Sequence, residues 1–462
     1  MHVLIVAPEM ERYTGPSALG ELVETHARAL AGLGHQTTVI APFFGGVMQD
    51  SHSLARRLDM PEVRCGSGPV QIGLFDGKLP SDDVRVIFVD HPEIFGQSPW
   101  APGPDNALRA ELLCRAVPVA ARELTLKIDV VHSFGWQAGL VPLLLRRGGA
   151  DSPLSEARQI FSVNDASDAG LFDADLWQAM GMDPALFQPE GVEFHGKLSL
   201  LKAGLIAADR VVAASPVHAR ELCQEPHGGG LHGLFAALGD RLVGVLDGID
   251  YTSWDPSSDH RILAHYDADS LEGKDRCKHQ LQTDVGLPHR PRHPLFVAFM
   301  PRDAAGQQVL LNALPELKDH PLQIVLCGDA GPLDLDSLDG VRVLKPNDDQ
   351  QLHRLLAGAD AIICSTPHGT ASTLIKALRF GAAPITVPVG SPRDVVVDFD
   401  SVSRTGTGLF IHGADSEQTL AAIQRALHLY GDQETWKVLQ QNAMRQRFSK
   451  EQSAGRHLEL YQ

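Results

Sequence analysis

The stretch MHVLIVAPEMERYTGPSALGELVETHARALAGLGHQTTVIAP, residues 1–42, decides the fold. Its first apolar run, His2-Val3-Leu4-Ile5-Val6-Ala7, does not alternate with polar residues, so it predicts a parallel strand covered by helices on both faces. The loop Thr14-Gly15-Pro16-Ser17 follows. Leu19, Leu22, Val23, His26, Ala27 and Leu30 then recur at helical spacing, and Gly32 and Gly34 close that helix. Thr37 to Pro42 reads as a second strand. Strand, loop, helix and strand in this order make the β-α-β unit of a doubly wound α/β domain.

The same grammar continues outward. Strands are expected at 84–89, 129–132, 159–163, 210–215 and 241–246. After Trp254-Asp255-Pro256 a polar stretch intervenes and the pattern restarts, with strands at 294–299, 323–328, 341–344, 361–364 and 383–387 and a helix through Val309–Leu317. The chain is therefore α/β, with two Rossmann-like doubly wound domains and a boundary near residue 255. Such sheets receive ligands at the carboxyl ends of their strands, and two such halves also in the cleft between them.

Composition bounds the function. The 462 residues suit two or three domains. A formal charge of −17 argues against a dedicated nucleic-acid or anionic-membrane surface, since phosphate binding needs a positive footprint. Six Cys at 65, 114, 223, 277, 327 and 364 show no CxxC pairing, and the His residues form no HExxH or comparable set, so neither a disulfide framework nor a metal site is expected. The start of the chain lacks a basic segment before its short apolar run, and no stretch reaches ~18 apolar residues, so a cytoplasmic protein is expected. The absence of a GxSxG elbow and of a Walker loop argues against serine hydrolases and P-loop ATPases.

Specific strings narrow the class. They are Gly170-Leu171-Phe172, Pro189 through Lys197, Leu201-Lys202-Ala203-Gly204-Leu205, Ser215 through Glu221, Gly228 through Leu234, Gly248 through Pro256, Ala377 through Gly381, and the C-terminal Phe448-Ser449 and Leu458-Glu459-Leu460-Tyr461. Collinear over the whole chain, they resemble the bacterial glycogen synthases and plant starch synthases. The resemblance implies the GT-B fold, two Rossmann-like domains facing a central cleft: 1–255 on the acceptor side, 256–440 on the nucleotide-sugar side, and a helix at 441–462 crossing back to the first domain. It also implies transfer of glucose, with retention and without a metal or other cofactor, from ADP-glucose to the non-reducing end of an α-1,4-glucan. ADP-glucose or ADP is then the expected ligand, and glycogen and an active synthase paralogue are the expected partners.

The departures from the family pattern fall on charge. The family's Lys-Thr-Gly-Gly-Leu loop, which meets the donor phosphates, stands here as Tyr13-Thr14-Gly15-Pro16-Ser17-Ala18-Leu19, and Pro16 removes a backbone donor. His-Asp-Trp becomes Phe134-Gly135-Trp136, and the His of the next loop becomes Asn164. The Arg and Lys that clamp the diphosphate fall at Met300 and Ala305, with Gly306 as the anchor of that alignment. A Glu falls at His368. One cation ~4 Å from a phosphate oxygen is worth roughly 4 kcal/mol at an effective dielectric near 20. Half that value for each of two clamps is on the order of a thousandfold in rate. The expectation is a degenerate synthase that binds glucan or a partner. The alternative is a working transferase with substitute cations, of which Arg302, Lys345 and Arg379 are the candidates.

Several candidate site residues remain. Gly15, with Gly369, Thr370, Ser372 and Thr373 at the start of the helix through Leu378, offers small residues and free N–H groups for a nucleotide's phosphates; a plain helix cap is the other reading. Trp136 could stack on a sugar or fill the core. Gly228, Gly229 and Gly230 could admit a glucan or simply form a surface hairpin.

Overall fold

The computed structural model describes the chain except residues 16, 46–53, 67, 81, 97–98, 101–102, 104, 149–151, 302, 330–339, 346–348 and 366–370. It divides into two compact units. Met1–Asp247 together with Lys450–Gln462 forms one, and Gly248–Ser449 forms the other.

The first unit is built on a sheet whose strands run, in spatial order, Leu242–Gly244, Arg210–Ala213, Arg158–Val163, Val130–Phe134, His2–Val6, Gln36–Pro42, Val84–Asp90, Gly73–Lys78 and Ala55–Arg56. The pairings from Leu242–Gly244 through Val84–Asp90 are parallel, and the last two strands add an antiparallel edge. That edge was not anticipated: its strands are short and carry polar and glycine residues, so they lack the apolar run that marks a buried parallel strand. Successive residues of the first strand feed opposite faces, as the pleat demands. Leu4 and Val6 join one core with Leu112, Val141 and Leu200, and Val3 and Ile5 join the other with Val23, Leu30 and Tyr461. The helix Ala18–Gly32 begins at Ser17, whose hydroxyl accepts from Gly20 N at 3.1 Å, a standard N-cap.

In the second unit the sheet's described strands are all parallel, in the order Val341–Leu344, Gln323–Cys327, Leu295–Phe299, Ala361–Cys364, Ala383–Thr386 and Leu409–Phe410. The division falls after Asp247 rather than near 255, because Gly248–Asp255 bonds to the second unit. Ile249 N donates to Phe448 O at 2.9 Å, Phe448 N donates to the Tyr251 hydroxyl at 2.8 Å, and Arg379 pairs with Asp255 at 2.5 Å. The span expected as one helix at 441–462 is also divided. Gln433–Met444 belongs to the second unit, and the helix Lys450–Tyr461, here called the return helix, packs in the first.

Candidate functional site

Strand order locates the sites. In the first unit the chain winds outward from His2–Val6 in both directions, so the loops after His2–Val6 and after Val130–Phe134 diverge and open a crevice at the carboxyl ends of those strands. In the second unit the same reversal lies between Leu295–Phe299 and Ala361–Cys364. Sequence-predicted positions fall at both switch points, although Arg302, His368, Gly369, Thr370 and Pro16 lie outside the described residues.

At the first switch point Gly15 has φ 89°, and a side chain there would meet nothing within 4 Å. It therefore sits in open space, as a ligand-facing glycine would. Beside it Ser17 donates to Glu9 Oε1 at 2.5 Å. Tyr13 does not face this loop. It is 2% exposed and packs edge-on against Phe88, with ring centroids 4.8 Å apart. Arg12 lines a separate hollow with Asp76, Lys78 and Arg85.

Trp136 is the hub of the next loops. Its indole N–H donates to Asp168 Oδ2 at 2.8 Å, and its ring meets Trp100 and Phe172 edge-on. Trp100 in turn donates to Pro8 O at 2.8 Å, which ties in the loop after the first strand. Gly170 has φ 56°, and a Cβ there would lie 2.7 Å from the Trp136 ring, so only glycine lets the two touch. Trp136 is thus a packing element between loops. The three glycines are also closely packed and form no free hairpin. A Cβ on Gly229 would fall 2.1 Å from Ala166 O, and one on Gly230 would fall 2.9 Å from Phe194. They press against the loop that carries Asn164.

Asn164 itself faces a small cavity of about 10 Å³, lined also by His26, Phe134, Ser162, Asp247 and His457. Asn164 Oδ1 and Asp247 Oδ2 have no hydrogen-bond partner among the described residues, and Asp247 is only 7% exposed. Burial pushes the Asp247 carboxyl up to about 7. Two buried acceptors facing one space call for a donor, and the cavity has room for a single water or hydroxyl. Asp247 was missed in the sequence because nothing local marks it; only the fold brings it beside Asn164.

At the second switch point Met300 continues the ladder, donating its N–H to Cys327 O at 2.9 Å, and its side chain packs on the core. Ala305 is exposed in the first turn of Ala304–Ala313. That helix is capped by Asp303, whose Oδ1 accepts from Gly306 N at 2.7 Å. A carboxylate thus occupies the positive end of the helix dipole. Ser372 and Thr373 form the half-buried first turn of Ser372–Arg379, where the N-cap is Ala371 and brings no capping oxygen. The basic residues further along face elsewhere. Lys376 lies 3.9 Å over the Trp254 ring, and Arg379 is held by Asp255 and lies over Tyr251. Lys345 pairs with Asp329 at 3.3 Å, both well exposed. Among the described residues no group of three or more His, Cys, Asp and Glu could hold a metal ion, and no helix is long and apolar enough to cross a membrane.

Comparison with known proteins now adds to this geometry. Residues 2–237 match the starch synthase catalytic domain and residues 283–446 match the glycosyl transferases group 1. A glycogen synthase of an Anaeromyxobacter species is 34% identical, covering 100% of this chain and 99% of its own. Glycogen synthase 2 of Geobacter sulfurreducens is 31% identical, over 100% and 98%. Among solved structures, the catalytic domain of starch synthase IV from Arabidopsis thaliana, bound to ADP and acarbose, superposes with a TM-score of 0.91 at 25% identity, covering 100% of this chain and 98% of that one.

Proposed function

Because the chain belongs to the glycogen and starch synthase family of GT-B glycosyltransferases, we propose that it is a member that keeps the fold but has lost efficient glucosyl transfer. It acts in glycogen metabolism in the cytoplasm, as a protein that binds α-1,4-glucan or an active synthase paralogue. The observation that carries this proposal is Asp303. Transfer from ADP-glucose without a metal leaves a diphosphate whose charge must be neutralised by side-chain cations and backbone N–H groups. Here Met300 and Ala305 supply no cation, and the helix terminus between them is occupied by a carboxylate at 2.7 Å. Tyr13, standing where the family carries a lysine, is folded into the core of the first unit.

What persists also supports a binding role. Gly15 leaves open space at the first switch point, and ADP and acarbose, the molecules bound to the Arabidopsis domain, are the probes to apply. Incorporation of radiolabelled glucose from ADP-glucose into glycogen tests the proposal. The expected turnover is about a thousandfold or more below the ten per second or so of a median enzyme. Turnover near ten per second would overturn it and establish a transferase that recruits substitute cations, with Arg302 the first to substitute. Co-sedimentation with glycogen, without turnover, is the expected companion result.

A further inference from the structure

A cluster of titratable groups that the proposed function does not use gathers where the return helix packs on the first unit. The Tyr461 hydroxyl lies 2.8 Å from His26 Nε2 and 2.7 Å from His132 Nδ1, and His132 Nε2 lies 2.7 Å from Ser162 Oγ. His457, one turn before Tyr461, sets its ring 4.4 Å from that of His26, and its Nδ1 lies 3.0 Å from Ser453 O. His26, His132, His457 and Tyr461 are all at most 5% exposed.

A phenol has one proton to give, so this row of hydrogen bonds has a direction. In one order His26 Nε2–H donates to Tyr461, Tyr461 donates to His132 Nδ1, and His132 Nε2–H donates to Ser162; the other order is its reverse. Either order needs a neutral His132, which must donate through one ring nitrogen and accept at the other. An added proton would leave a cation in a space whose facing groups are named readily. The helix Ala18–Gly32 presents His26, the strand Val130–Phe134 presents His132, the return helix presents His457 and Tyr461, and the cavity beside them adds Asn164 and Asp247. None of the imidazoles bonds to a carboxylate among the described residues, and the nearest charges acting on them are one another.

We propose that the return helix is an acid-released clasp: neutral His26, His132 and His457 hold Lys450–Tyr461 against the first unit, and their protonation expels it. Burial keeps each imidazole below its ordinary value, His457 at about 4. The clasp is therefore at full strength above pH 6.5 and weakens as pH falls from there toward 4. Asp247 works the other way. Its carboxyl, held at about 7 by burial and exposed to water once His457 leaves, ionises and gives back one proton. Release thus takes up about two protons net, and its equilibrium constant rises up to about a hundredfold for each pH unit lost in that window. The chain passes between the units only after Asp247 and after Ser449, so release would leave one passage anchored at both ends.

Hydrogen exchange of the full-length protein from pH 7.5 to 5, corrected for the intrinsic rate, tests this. The peptide over 450–461 is expected to lose protection at least about tenfold between pH 6.5 and 5.5, while the helix Asn106–Glu123 keeps its own. His26→Gln with His457→Asn retains a bonding nitrogen at each site and removes two titrating rings. This pair is expected to abolish the pH response. Asp247→Asn is expected to steepen it by about tenfold per pH unit. Protection of 450–461 that ignores pH would overturn the proposal, as would joint opening with Asn106–Glu123 or an unchanged slope in Asp247→Asn.

Discussion

The two switch points share an architecture and differ in where their side chains lie. In the first unit Tyr13 is part of the core beneath the loop, packed on Phe88. In the second unit Ala305 is exposed and Met300 half-buried, and the carboxylate of Asp303 caps the adjacent helix. The first position is tied to stability, and the other two lie largely outside the core. One position lies in the interior of its unit, and the other two border a helix end that carries a carboxylate.

Tyr13→Lys gives the largest expected effect. Placing an ammonium where a ring is 2% exposed should cost about 3 kcal/mol, read as a lower urea midpoint for the first unit. A loss under about 0.5 kcal/mol, the range of surface changes, would mean the position still reaches the loop and would break the comparison. Asp247→Asn comes next. The buried carboxyl is raised above its ordinary value, so its ionisation costs stability that is absent below pH 3.8 and complete above about 7. The variant should be more stable than the parent at pH 8, and that advantage should shrink as pH falls from 7 toward 3.8. Equal stability at pH 8 would show that the Asp247 charge is solvated. Met300→Arg with Ala305→Lys should sharpen the contrast, tightening ADP by about tenfold in calorimetry with the fold intact. An unchanged affinity would make Asp303, rather than the missing cations, the governing feature. The smallest effect is expected of Asp303→Ala, which should lower the stability of the second unit by about 1 kcal/mol through loss of the cap.

What the sequence makes legible follows from the range of the interactions involved. Buried parallel strands declare themselves through unbroken apolar runs, which is why residues 2–6, 84–90, 130–134, 158–163 and 361–364 stand where the runs predict. The switch-point loops are equally readable, because they follow those strands. Side-chain roles are not. Trp136 is a packing hub because Trp100 comes from one other loop and Asp168 and Gly170 from a second, and no local pattern joins them. Tyr13 is legible as a missing cation but not as a core residue, since its burial depends on Phe88 two strands away. Likewise His26, His132, Asp247 and Tyr461 are ordinary residues along the chain, and they become one neighbourhood only through the sheet and the return helix.

The return helix also bears on biogenesis. The first unit is assembled from residues up to 247 and residues from 450 onward, with the whole second unit synthesised in between. A nascent chain that has completed Asp247 therefore still presents an uncovered, histidine-lined apolar face to solvent and to chaperones. Premature termination anywhere before Tyr461 would leave that face permanently bare, so a lesion among the helix's few residues should act as a defect of maturation in the opposite half of the polypeptide.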